Sequence, residues 1–113
     1  MASRQQHTGN GGTRMTVYKA PYEQFAVSID FAADIGSGNS LASISAVMAV
    51  NNLSQSNSTA EVIAAEPQPS ISGTAVVFEV TGGVVGETHT ISVQIVSSIG
   101  EKYQGDVTLR IVS

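Results

Sequence analysis

The sequence contains neither cysteine nor tryptophan, and of its 113 residues only 12% are charged and 5% aromatic. Without cysteine there is no disulfide framework, no thiolate zinc site and no thiol nucleophile. No apolar run reaches the ~18 residues that a membrane-spanning helix needs. The N-terminus lacks the apolar core of a secretory signal, so no export signal is expected. Basic side chains are scarce too, five against nine acidic ones, for a net charge of −4. Their distribution says more than the sum. Arg4 and Arg14 precede Met15, while every acidic residue lies at or after Glu23; from Met15 onward three cations face nine acids, a balance of −6. Such a chain has no basic stripe to neutralise phosphates, which argues against nucleic-acid binding. An anionic membrane face would repel it.

What is present is apolar and short in period. The 42% apolar share is enough for one packed domain at this length. Residues 1–14 are polar and Gly-rich, without hydrophobic period. The expected division is therefore a flexible arm or appended leader over residues 1–17 and a single domain over 18–113.

From Phe25 on, the period is two. Phe25, Val27, Ile29 and Phe31 alternate with Ala26, Ser28 and Asp30, the signature of a half-buried strand. A turn with two glycines follows over residues 34–40, and then Ala42, Ile44, Ala46, Met48 and Val50 form a second apolar row. Residues 61–65 predict a third strand, stopped by Pro67 and Pro69. Val76, Phe78 and Val80 mark a fourth. Ile91, Val93 and Ile95, then Val107, Leu109 and Ile111, mark a closing pair joined through a hairpin at Gly100. Six or seven short strands joined by Gly, Pro and Ser turns predict an all-β, Ig-like antiparallel β-sandwich.

Chemistry-bearing residues are sparse. His89 is the one histidine of the predicted domain and stands two residues from Glu87, but no Gly-x-Ser-x-Gly elbow accompanies it. A strand-end histidine half in solvent is the expected arrangement. Asp30, Asp34 and Asn39 concentrate oxygen donors near a turn, without the spacing of an EF-hand loop. Capping of that turn by Asp34 and Asn39 is expected there rather than a cation. Gly36-Ser37-Gly38 and Gly82-Gly83 lack the Lys-Ser/Thr and helix start of a phosphate loop. Glu79, Glu87 and Glu101 fall on polar faces or strand ends, where solvation is the default. No catalytic, cofactor-binding or metal-binding residues are therefore assigned, and no cofactor or small-molecule substrate is expected.

One stretch has a familiar look. Lys19, Pro21 and Glu23 form a Lys-x-Pro-x-Glu opening. It leads into an apolar strand ending in Asp30-Phe31 and a turn at Gly38-Asn39-Ser40-Leu41. Residues 86–93 and the hairpin from Ser97 through Val112 continue the likeness. Together these resemble a group of small bacteriophage structural proteins of Ig-like fold, described as tail or fibre–tail adaptor proteins. That group carries Asp-Trp where Asp30-Phe31 stands and tyrosine where His89 stands. The resemblance implies a non-enzymatic virion structural or assembly protein, made in the bacterial host cytoplasm. It implies contacts with other phage structural proteins and a homo-oligomer. Extended segments and strand edges suit such docking, so Tyr18, Lys19, Pro21, Tyr22 and Glu23 form the expected docking segment. The competing reading is an Ig-like adhesive or carbohydrate-binding module of a bacterial surface protein. It would need an exposed aromatic platform, for which Tyr18, Tyr22 and Tyr103 are the available residues.

Overall fold

The computed structural model describes residues 15–113. Seven strands form two sheets. The larger sheet runs β1 (Met15–Lys19), β7 (Lys102–Ile111), β6 (Thr88–Ser97), β3 (Leu41–Asn51), and the smaller runs β2 (Phe25–Asp30), β5 (Ala75–Val80), β4 (Ser70–Ser72). With β2, β5 and β4 in one sheet and β3, β6 and β7 in the other, the order is that of an immunoglobulin sandwich. The first strand here belongs to the second sheet.

The alternation read from the sequence is what closes the two layers. Val27 and Ile29 of β2 and Val76, Phe78 and Val80 of β5 face Ile91, Val93 and Ile95 of β6 and Val107 and Leu109 of β7, all fully or almost fully buried. Gly105 lets the layers approach near Phe31. A Cβ there would stand 3.0 Å from Ile29 Cγ2 and 3.3 Å from Phe31 Cζ, so the missing side chain makes room for the buried ring.

Several expectations are refined or corrected. The domain starts earlier than residue 18: Met15 and Val17 are buried in β1, and what precedes them lies outside the described residues. The all-β sandwich is as expected, with antiparallel pairing throughout except that β1 pairs in parallel with β7, Met15 opposite Val107 through Lys19 opposite Ile111. Residues 61–65 are not a strand. A single helical turn, α2 (Thr59–Val62), occupies this stretch, and only Ile63 makes a bridge, to Val80. Alternation over five residues could not separate one helical turn from a short strand.

A further correction concerns phase. Register shifts between Leu41 and Ser43 and between Ile44 and Ala46 insert extra residues into β3. Each such bulge flips the side-chain phase. The first moves the inward phase from Leu41 to Ile44 and the second moves it back, so that Ala49 and Asn51 point inward, opposite Ile91 and His89, and Met48 and Val50 turn to the surface. A short helix, α1 (Ala32–Ile35), fills the β2–β3 connection expected to be a turn.

One end of the sandwich gathers the β1–β2 turn (residues 20–24), the β3–β4 connection (52–69), the β5–β6 loop (81–87) and the chain after β7. Every residue with a claim to function clusters there, except those of the Asp30 turn and the hairpin.

Candidate docking site

Within the expected docking segment the structure divides the labour. β1 alternates Met15, Val17, Lys19 inward and Thr16, Tyr18 outward, so its phase carries a lysine into the end of the core. Lys19 is 1% exposed. Its Nζ donates to the carbonyls of Ala20 (2.6 Å), Gly82 (2.6 Å) and Pro21 (3.3 Å). Burial pushes the ammonium below the ordinary lysine range, and the charge of Glu23 opposes that shift. Glu23 Oε1 accepts the Ala20 N–H at 2.8 Å, and the Glu23 N–H returns to the Ala20 carbonyl at 3.0 Å. Lys19, buried, and Glu23, exposed, thus both build the turn. What they hold out is Tyr22, 98% exposed at the tip, with Tyr18, 60% exposed, beside it on β1.

A second lock lies under the neighbouring loops. His89 is wholly buried and not half in solvent as expected: β3 places Asn51 opposite it, and Ser58, at the head of α2, bonds to its ring. Its Nδ1 lies 2.8 Å from Ser58 Oγ and its Nε2 3.0 Å from Glu87 Oε1. A carboxylate only accepts, so Nε2–H donates to Glu87, and in the neutral ring Nδ1 accepts the Ser58 hydroxyl proton. Glu87 also accepts from the Val84 N–H (2.9 Å) and, through Oε2, from Asn51 Nδ2 (3.1 Å). Asn51 Oδ1 in turn accepts the Leu53 N–H at 2.9 Å.

Serine, histidine and glutamate in line resemble the parts of a hydrolytic triad, yet Ser58 and His89 are 1% and 0% exposed. No acyl group can reach a hydroxyl so enclosed, so the line braces the loops. The Val84 amide, followed by the His89 contact, holds the Glu87 carboxyl below the ordinary glutamate range. A carboxylate with a depressed folded-state pKa stabilises above its unfolded pKa, and that contribution is lost as pH falls through the folded value. Glu87→Gln is therefore expected to lower the thermal midpoint by a few degrees at pH 7. The gap to the parent should close on acidification toward pH 3, as a calorimetric pH series would show.

The remaining candidates are spoken for locally. Asp30 Oδ1 accepts from the Ala32 N–H (2.9 Å) and Thr74 Oγ1 (2.7 Å), and Asn39 Nδ2 caps α1 at the Ile35 carbonyl (2.6 Å). Tyr103 donates to Glu101 at 2.6 Å, which fixes the β6–β7 hairpin and pushes the phenol up. Among the described residues no three His, Asp or Glu side chains converge as a metal site. Asn51 was missed from sequence because only the bulges reveal its inward phase. Lys19 could have been found by extending the alternation of Met15 and Val17 by one step.

Residues 19–110 match the protein family described as podophage GP4 fiber-tail adaptor protein gp77. The match starts at the lysine that clamps the first turn and runs from β2 through β7 to Arg110. No curated protein matches the chain.

Proposed function

Because the chain belongs to the podophage fiber-tail adaptor family, a family of phage tail structural proteins, we propose that it is a non-enzymatic joint of the virion. It works by burying surface against other structural proteins of the particle and against copies of itself. The observation that carries this is Tyr22, an aromatic side chain 98% exposed on a turn that Lys19 and Glu23 hold rigid from within. Tyrosine supplies large contact area at low entropic cost and is over-represented among residues that dominate binding energy. The acidity of the domain agrees with protein partners and not with nucleic acid or anionic membrane. Symmetric self-association around a tail would follow the closed cyclic arrangements common to homo-oligomers.

Deleting residues 15–24 would not test the docking role cleanly, since Met15, Val17 and Lys19 belong to the buried interior. Tyr18→Ser and Tyr22→Ser leave that interior untouched. The double variant is expected to fold with an unchanged thermal midpoint. It should bind the particle's purified fibre or tail proteins at least about tenfold more weakly, in line with loss of an exposed aromatic anchor. Its self-association should be compared with the parent's by light scattering. Unaltered affinity together with unaltered oligomer mass would remove this segment from the interface.

A further inference from the structure

The end of the sandwich that bears Tyr22 carries apolar tips on all three of its turns. Leu53 is 88% exposed on the β3–β4 connection, and Val84 and Val85 are 64% and 53% exposed on the β5–β6 loop. Isolated exposed apolar residues are ordinary, but a cluster at one place marks an interaction site. Here each tip is held by a polar side chain from beneath. Lys19 and Glu23 fix the turn of Tyr22, Asn51 Oδ1 takes the Leu53 amide, and Glu87 Oε1 takes the Val84 amide. The locks are joined to one another, since Lys19 Nζ reaches Gly82 and Asn51 Nδ2 reaches Glu87. Three turns are thus tied into one frame that keeps apolar side chains in water. Loops fixed in advance lose less conformational freedom when a partner arrives.

The surrounding charge says what kind of partner fits. The connections at this end contain Glu23, Glu61, Glu66 and Glu87 and no Lys or Arg. The cations adjoining it are Lys19, which is buried, and Arg110, on the outer face of the larger sheet opposite Tyr18. Two copies meeting through this end would set acid against acid, which disfavours a symmetric end-to-end pair. Resting on the adaptor reading, we infer that this end receives a different virion protein. The partner surface is an apolar groove bordered by Lys or Arg, and Leu53, Val84 and Val85 enter it together with Tyr22.

The test uses the full chain against the purified fibre and tail proteins of the same particle, by biolayer interferometry at several salt concentrations. Leu53→Ser, and Val84→Ser combined with Val85→Ser, should each weaken binding to one and the same partner at least tenfold with no change in thermal midpoint. Glu61→Lys with Glu66→Lys should slow association several-fold and flatten its salt dependence. Tyr18→Ser, which lies outside the end, distinguishes the two proposals. If it weakens binding while the Leu53 and Val84/Val85 variants bind as the parent does, the end is not the interface and the adaptor reading survives. If the parent binds neither protein, the adaptor reading itself falls. A parent that sediments as a pair broken by Leu53→Ser would assign the end to a second copy and overturn the inference.

Discussion

Lys19→Met should lower stability by about 3 kcal/mol, shifting the urea midpoint by roughly 1–2 M. Methionine keeps the stem that runs along the core and removes only the ammonium, so packing is largely preserved. What is lost is the charged donor shared by the Ala20, Pro21 and Gly82 carbonyls. Ala20 retains the Glu23 N–H as a partner. The Gly82 carbonyl loses the side-chain donor that ties it across to β1. Hydrogen bonds to charged groups contribute about 1.5–3 kcal/mol each, and relief of ammonium desolvation returns part of the loss. The sign of the pH effect follows from the depressed lysine pKa. The desolvation cost is present through the neutral range and fades as pH rises toward the ordinary lysine value, so the parent should gain on the variant there. A midpoint within about 0.3 M of the parent's in a urea series would show that the three carbonyls find water instead, and that the clamp contributes little.

Gly82→Ala is expected to be of similar size, for a different reason. Gly82 sits at φ +58°, and a Cβ there would stand 2.5 Å from the Glu61 carbonyl oxygen of α2. A backbone atom cannot rotate aside, so the loop must move. That movement strains the Thr81 N–H bond to the Val62 carbonyl (2.9 Å) and the Lys19 contact together. Left-handed backbone strain alone is on the order of 1 kcal/mol for a non-glycine residue. With the clash the total should reach about 3 kcal/mol, a fall of roughly 10–20 °C in thermal midpoint for a domain of this size. Gly86→Ala is the control. Gly86 also has positive φ, +97°, but nothing lies within 4 Å of its Cβ position, so only the strain should register. Equal losses in the two variants, measured by calorimetry, would show that the contact with α2 is not what restricts Gly82.

Dyad alternation made most of the sandwich legible. β2, β5, β6 and β7 lie where the apolar rows of Val27, Phe78, Val93 and Leu109 put them, and Gly100 takes the positive φ, +87°, that the hairpin requires. The errors fall where period-two reasoning has no purchase. A bulge is a backbone event that leaves little trace in side-chain chemistry. The row from Ala42 to Val50 was therefore read in one phase when it changes phase twice. β4, three exposed residues, is a strand only because β5 lies beside it.

The site was half legible for a related reason. The Lys-x-Pro-x-Glu pattern located the segment, but a charged residue in an exposed-looking stretch reads as solvated. Only the tertiary structure shows that Lys19 turns inward and that Glu23, exposed, bonds back to its own turn while Tyr18 and Tyr22 face out. His89 was hidden likewise, since its enclosure depends on Ser58, 31 residues away in sequence.

β3 is eleven residues long, lies at a sheet edge and contains neither a charged residue nor a proline. Strands of that composition recruit identical strands into fibrils. The two bulges break its flatness in the first half. The second half is clasped by residues 56–59, through the Val50–Asn57 bridge, the Ser58 N–H bond to Ala49 and the Asn51 N–H bond to Ser56. An edge strand left bare would pair with its like wherever copies of one chain meet at high concentration. Blunting this strand lets like molecules crowd without gelling.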